Sequence, residues 1–268
     1  MKCRAGVICL PAGIKQNKME VHHHPKVEKK NFKEYFLEFL MIFLAVTLGF
    51  IAENIREKIT EHHRAKIYAA EMVNDLVSDT VALRTYINYM TNAEHNVDTL
   101  FQLLSVHEPK EIASGKLYWY GLFGAAGGSF VPNDATFEQM KSSGSLSYFS
   151  HSSLAKKVAE YDRLCRTMKT DDNSDEAIYV EVRKIRAQIF EFKYNAAANN
   201  IYQANRVLFD QKRVDSFLMS NPPLLTYDKT IFNVYEELVR SRFFNRKVDR
   251  ADTLYHHAVA LISDLKKE

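Results

Sequence analysis

Apolar positions along most of this chain advance in steps of three and four. One set is Ile55, Ile59, Ala70, Val73, Leu76, Val77, Thr80, Leu83, Ile87, Met90, Val97, Leu100 and Leu104. A second is Ile178, Val182, Ile185, Ile189, Phe192 and Ala196. A third is Ile231, Val234, Leu238, Val248, Ala251, Leu254, Ala258, Leu261 and Leu265. Such spacing puts each set on one helix face, and that face must be buried. The pattern predicts an all-α protein built as an antiparallel helical bundle over 56–268.

Chain breakers agree. No glycine or proline stands between Gly49 and Pro109 or between Gly144 and Pro222, and no glycine follows Gly144. Strand proteins need turns far more often. Linkers are predicted near 108–135, 144–151, 169–175 and 220–228. Thr136 with Gln139 and Asn173 with Glu176 have the spacing of capping boxes, and Asp228 is placed to cap the last helical region. Ser152 or Ser153 is placed to cap the helix after 151. There is no internal repeat.

One segment has no polar face. Tyr35–Ala52 reads YFLEFLMIFLAVTLGFIA, with Glu38 its one carboxylate. Eighteen residues rise about 27 Å, close to the hydrocarbon thickness of a bilayer. Eleven Leu, Ile, Phe or Val residues each favour insertion by about 0.3–0.6 kcal/mol, against about 2.5–3.5 for one central acid. The sum favours a transmembrane helix over 32–55. A buried core helix would carry a polar stripe, and a cleaved signal peptide would need a small-x-small site that Phe50 and Ala52 do not supply. A basic, His-rich tail is expected over 1–31. Lys26, Lys29, Lys30 and Lys33 precede the segment, and Arg56, Lys58, Arg64 and Lys66 follow it, so flanking charge is balanced. Lys15 and Lys18, and the difficulty of exporting a short basic tail, favour an N-terminus inside. The bundle is then outside the bacterial cytoplasmic (inner) membrane, in the periplasm.

The chain has 268 residues and a formal net charge of +3. That balance gives no case for a nucleic-acid partner bound through charge. Three cysteines cannot build a disulfide scaffold.

The stretch HHHPKVEKKNFKEYFLEFLMIFLAVTLGFIAENIRE (His22–Glu57), with TFEQMKSSGSL (Thr136–Leu146), resembles an uncharacterised family of membrane-anchored proteins common in Bacteroidota-type bacteria. The resemblance implies a one-pass membrane protein of Gram-negative type. It carries no catalytic residues, because the family is a domain of unknown function. Residues 1–18 depart from its pattern, so Met19 is an alternative start that would leave them untranslated.

Candidate chemistry is sparse. His22–His24 are consecutive, His62–His63 and His256–His257 are adjacent pairs, and neighbours on a helix diverge. Asp252 and His256 share a face, which reads as a surface hydrogen bond. No metal or other cofactor is expected. Ser153 and Lys156 match Ser-x-x-Lys without its companion elements. Cys165 lies on an apolar stripe and reads as packing. Leu117–Phe130 (LYWYGLFGAAGGSF) matches no phosphate-loop pattern but holds the only tryptophan and the densest glycines.

A Gly/aromatic loop over 115–135 is therefore expected. Its aromatics either pack on the bundle or form a flexible lip in which Tyr118, Trp119, Tyr120, Phe123 and Phe130 contact a partner or ligand. Glu34 and Glu38 share a face, as do Glu53, Glu57 and Glu61. Glu38 either snorkels to headgroups or makes an intramembrane contact. Ala45 and Gly49 offer a weak helix-association face. Asn199 either continues the stripe after Ala196 as a buried register contact or is a surface amide.

The leading expectation is a non-enzymatic, membrane-anchored interaction or scaffold protein. Its partners are the lipid bilayer and either another protein or a second copy of itself. The alternatives are a membrane-tethered enzyme with a site near 121–144 and an accessory subunit of a membrane transport complex.

Overall fold

The computed structural model describes residues 31–243 and 247–268. The expected tail over 1–31, with Met19 and His22–His24, lies outside them apart from Asn31. Among the described residues there is no strand. The helices are α1 (Phe32–Val106), α2 (Ser114–Phe123), α3 (Ala135–Ser143), α4 (Ser152–Ile189), α5 (Phe192–Leu208), α6 (Gln211–Leu218), α7 (Lys229–Phe243) and α8 (Lys247–Leu265). Short 3₁₀ turns occupy Pro109–Glu111 and Ser145–Tyr148. The chain divides at Ile55/Arg56 into two compact units.

The first unit holds the start of α1. The most apolar 18-residue window of this helix is long enough to cross a membrane, and none of it is buried in the protein. Leu37, Phe39, Met41, Ile42 and Phe50 are each more than half exposed.

In the second unit, the buried positions of α1 run Ala65, Ala69, Met72, Leu76, Asp79, Leu83, Tyr86, Met90, Ala93, Val97 and Leu100. They alternate strictly in steps of four and three, the 3.5-residue period of a coiled-coil seam. Five of these, Leu76, Leu83, Met90, Val97 and Leu100, stand in the predicted stripe. Ala70 and Val77 of that stripe face outward. On α8, Lys247, Ala251, Leu254, Ala258, Leu261 and Leu265 repeat the period. Helix α4 packs against both α7 and α8.

Two apolar cores result. The first joins α1 from Ala65 to Met90 with α3, the first half of α4 and α8, through residues such as Met140, Val158 and Leu254. The second joins Ala93, Val97 and Leu100 of α1 with α2, the second half of α4, Ala198 of α5 and α7.

Helix boundaries correct several expectations. The linker at 169–175 does not exist: α4 runs unbroken through it, and Asn173 and Glu176 are mid-helix. Thr136 lies inside α3 behind Asp134, and its hydroxyl donates to Asp75 instead of capping. Neither Ser152 nor Ser153 caps α4, whose N-cap position is His151. The helix of 178–196 is broken at Phe190–Glu191, which leaves Phe192 82% exposed. Asp228 does accept from the Thr230 amide at 2.7 Å, just ahead of α7. The 220–228 connection is non-helical, and the Leu225 amide donates to the Ile189 carbonyl at 2.9 Å.

Candidate functional site

The expected 115–135 loop is mostly a different structure. Ser114–Phe123 is helix α2, buried among its neighbours. Tyr118, Trp119, Phe123 and Phe130 are all under 8% exposed, and only Tyr120 is half-buried. A flexible aromatic lip is therefore not what these residues form here. They pack on the helical unit: Trp119 and Phe123 both stand edge-on to Tyr202, with ring centroids 6.0 and 5.1 Å away.

The glycines explain why. A Cβ on Gly115 would meet the Phe217 carbonyl at 2.0 Å, one on Gly121 the Phe190 ring at 2.6 Å, and one on Gly124 the Tyr235 hydroxyl at 2.1 Å. These glycines admit close approach of neighbouring groups rather than flexibility. Polar tips are satisfied too: Tyr118 donates to the Pro223 carbonyl at 2.7 Å and accepts from the Glu191 amide at 3.0 Å. Tyr235 donates to the Gly121 carbonyl at 2.7 Å.

Beyond α2 lies a feature that sequence reasoning missed, a buried charged layer. Asp175 on α4 sits 5% exposed on the seam. Arg242 at the end of α7 donates to it through Nε at 3.0 Å and Nη2 at 2.7 Å. Lys247 at the start of α8 reaches the same carboxylate at 2.9 Å and Asp172 at 3.3 Å. Arg242 also donates through Nη1 to the Gly124 carbonyl at 2.9 Å, and its guanidinium lies 4.9 Å from the Tyr179 ring centroid. Burial pushes the Asp175 carboxyl up, but its bonds to Arg242 and Lys247 outweigh that and hold it below the usual carboxylate range. Asp172 goes the other way: burial raises it more than Lys247 lowers it. Asp172 Oδ2 and the Tyr86 hydroxyl, also buried, have no hydrogen-bond partner among the described residues.

Next to this layer is a cleft of about 380 Å³, bounded by Gly127, Gly128 and Ser129 on one side and by Asp175, Tyr179 and Arg242 on the other. The coil that crosses it is fixed at both ends. Gly124 is held by Arg242, and Asn133 donates to the buried Asp79 through its amide at 2.8 Å and its Nδ2 at 2.9 Å. Tyr161 of α4 donates to Asp79 at 2.7 Å. Burial raises the Asp79 carboxyl, with those hydrogen bonds opposing it. Polar groups at seam positions, each tied to a specific partner, select one helix register over its slipped alternatives.

The other candidates stay apart. Glu38 lies exposed within the apolar window. Among the described residues, no three His, Cys, Asp or Glu side chains gather as metal ligands. His256 and Asp252 approach to 3.5 Å on the surface. Ser153 and Lys156 are exposed, and Asn199 is exposed while Ala198 takes the buried position. The Cys165 thiol is buried, and desolvation pushes it up to about 12. That makes it a poor nucleophile.

No protein family, curated protein or solved structure matches this sequence.

Proposed function

We propose that this chain is a single-pass membrane protein whose helical unit, Arg56–Glu268, acts as a scaffold or sensor-like module that binds a partner. The observation that carries the reading is the apolar window of α1, in which no residue is covered by protein. A soluble core helix of that composition would be buried, and an uncovered one in water would expose apolar side chains along its whole length. A bilayer removes that penalty.

The reading places α1 across a bacterial inner membrane over 32–55, with the N-terminus inside and the helical unit, an antiparallel bundle, in the periplasm. Family membership of the Bacteroidota-type anchored proteins is part of the same proposal. The charged layer of Asp172, Asp175, Arg242 and Lys247 gives such a module its rigidity, because it joins α4, α7 and α8 where the two cores meet. Protease added to spheroplasts tests the placement. Degradation of the helical unit, with a protected fragment of fewer than about sixty residues retaining Tyr35–Ala52, supports it; full protection until lysis contradicts it.

A second reading, a membrane-tethered enzyme near 121–144, is favoured by the cleft beside Gly127–Ser129, which Asp172 lines and where its Oδ2 has no hydrogen-bond partner among the described residues. Retained ligand mass on native purification, lost in Asp172→Asn, would promote it.

A further inference from the structure

Helix α1 carries a second seam that none of the described residues covers. Ile67, Val77 and Val81 are 44%, 46% and 66% exposed, and Ala70 and Asn74 between them are exposed as well. Their order is Ile67, Ala70, Asn74, Val77, Val81, in steps of three and four. At about 100° per residue, this stripe is centred about 170° round the helix from the buried seam of Met72, Leu76, Asp79 and Leu83. Both stripes keep the same 3.5-residue period, so neither drifts into the other along the helix.

We propose that this outer seam docks against the same seam of a second copy of this chain, in parallel and in register. Ile67, Asn74 and Val81 then take the positions where β-branched residues favour two-stranded coiled coils. Asn74, the single amide at the centre, meets Asn74 of the other copy, the arrangement that penalises slipped and higher-order assemblies. The flanking charges fit the same geometry. Lys66 and Glu71, both exposed, lie on the two edges of the seam five residues apart. In a parallel in-register pair, Lys66 of one copy faces Glu71 of the other; an antiparallel pair would not bring them together.

His63 and Arg84 bound the apolar stretch, so it is only about two heptads long, and its inner positions are small. A seam of this size is weak between freely diffusing chains. This deepens the membrane-anchored reading, because tethering in one bilayer supplies the effective concentration that a short seam needs.

The test is disulfide trapping of the full chain in its native membranes, with Cys3 and Cys9 replaced by serine. Asn74→Cys, Val77→Cys and Val81→Cys are expected to give a dimer of this chain under mild oxidation. His62→Cys and Ala82→Cys, off the seam, are expected to give at least about five-fold less. Adding Lys66→Glu should lower the Val81→Cys dimer several-fold, and Lys66→Glu with Glu71→Lys should restore it. Equal trapping on and off the seam, monomer only, a trapped product with another protein, or indifference to the charge swap would each overturn the proposal. Trapping on the seam in a chain that alkaline carbonate strips from the membrane would keep the seam and sink only the tether.

Discussion

Arg242 grips Asp175 through three hydrogen bonds, from Nε at 3.0 and 3.2 Å and from Nη2 at 2.7 Å, with both side chains at least 94% buried. Lys247 bonds the same carboxylate. Removing the acid therefore leaves the buried Arg242 without a counter-ion, while Lys247 keeps only Asp172. Asp175→Ala is expected to destabilise the helical unit by about 3–5 kcal/mol, and Arg242→Met by a smaller amount, because Lys247 still pairs the carboxylate. Thermal unfolding in detergent, followed by circular dichroism, checks the order. Equal effects would contradict it.

The two buried acids on this side of the protein respond oppositely to pH. Asp175 is held below its ordinary range, so its contribution is present above the unfolded value and is lost as pH falls through the folded one. Asp79 is raised, chiefly by burial. Its folded-state penalty is present above the raised value and is relieved as pH falls through it. Asp79→Asn keeps the acceptor for Asn133 and is expected to change stability by less than about 1 kcal/mol at neutral pH. It should remove the part of the pH dependence that opposes acid unfolding. Melting temperatures of wild type and variant from pH 4 to 7 should therefore diverge most at the neutral end, with the variant higher, and converge at the acid end.

The glycines just after α2 should differ sharply in tolerance. Gly124→Ala drives a Cβ to 2.1 Å from the Tyr235 hydroxyl, whereas Gly127→Ala meets nothing closer than 3.9 Å. The first is expected to cost about 1–3 kcal/mol, the second less than about 0.5. The same melting assay separates them.

Trp119, the sole tryptophan, is 7% exposed. Its emission should be blue-shifted and poorly quenched by iodide. Trp119→Ala should cost about 3–5 kcal/mol. A red-shifted, freely quenched signal would restore the exposed aromatic lip.

Cys165 should resist alkylation at pH 8 until the protein unfolds, since burial has raised its thiol to about 12. Mass spectrometry after iodoacetamide with and without denaturant reads this directly.

The helical class and the α8 face were legible in the sequence because Ala251, Leu254, Ala258, Leu261 and Leu265 keep an uninterrupted apolar period. On α7 the predicted stripe of Ile231, Val234 and Leu238 misses the buried face, which is Phe232, Tyr235 and Val239, and Val234 is 41% exposed. The α1 seam was half legible. Small residues at Ala65, Ala69 and Ala93 give little hydrophobic signal, and Asp79 reverses its sign. The acids of 169–175 look like a solvated linker by composition. They are helical because Asp172 and Asp175 meet cations from α7 and α8, a pairing across about seventy residues that no local pattern carries. The glycines of α2 look like loop punctuation, and only the approach of Phe190 and Tyr235 gives them their role. The break at Phe209 has no glycine signal either: the residue adopts φ 51° itself, at a cost of about 1–2 kcal/mol.

The membrane tether is the central claim, and the partition of the intact chain under alkaline carbonate tests it most directly. The account predicts that the chain stays in the membrane pellet at full mass, Tyr35–Ala52 included, and is released only by detergent. Recovery of the folded chain in the carbonate supernatant, or of a membrane-free form cleaved after Ala52, would contradict it.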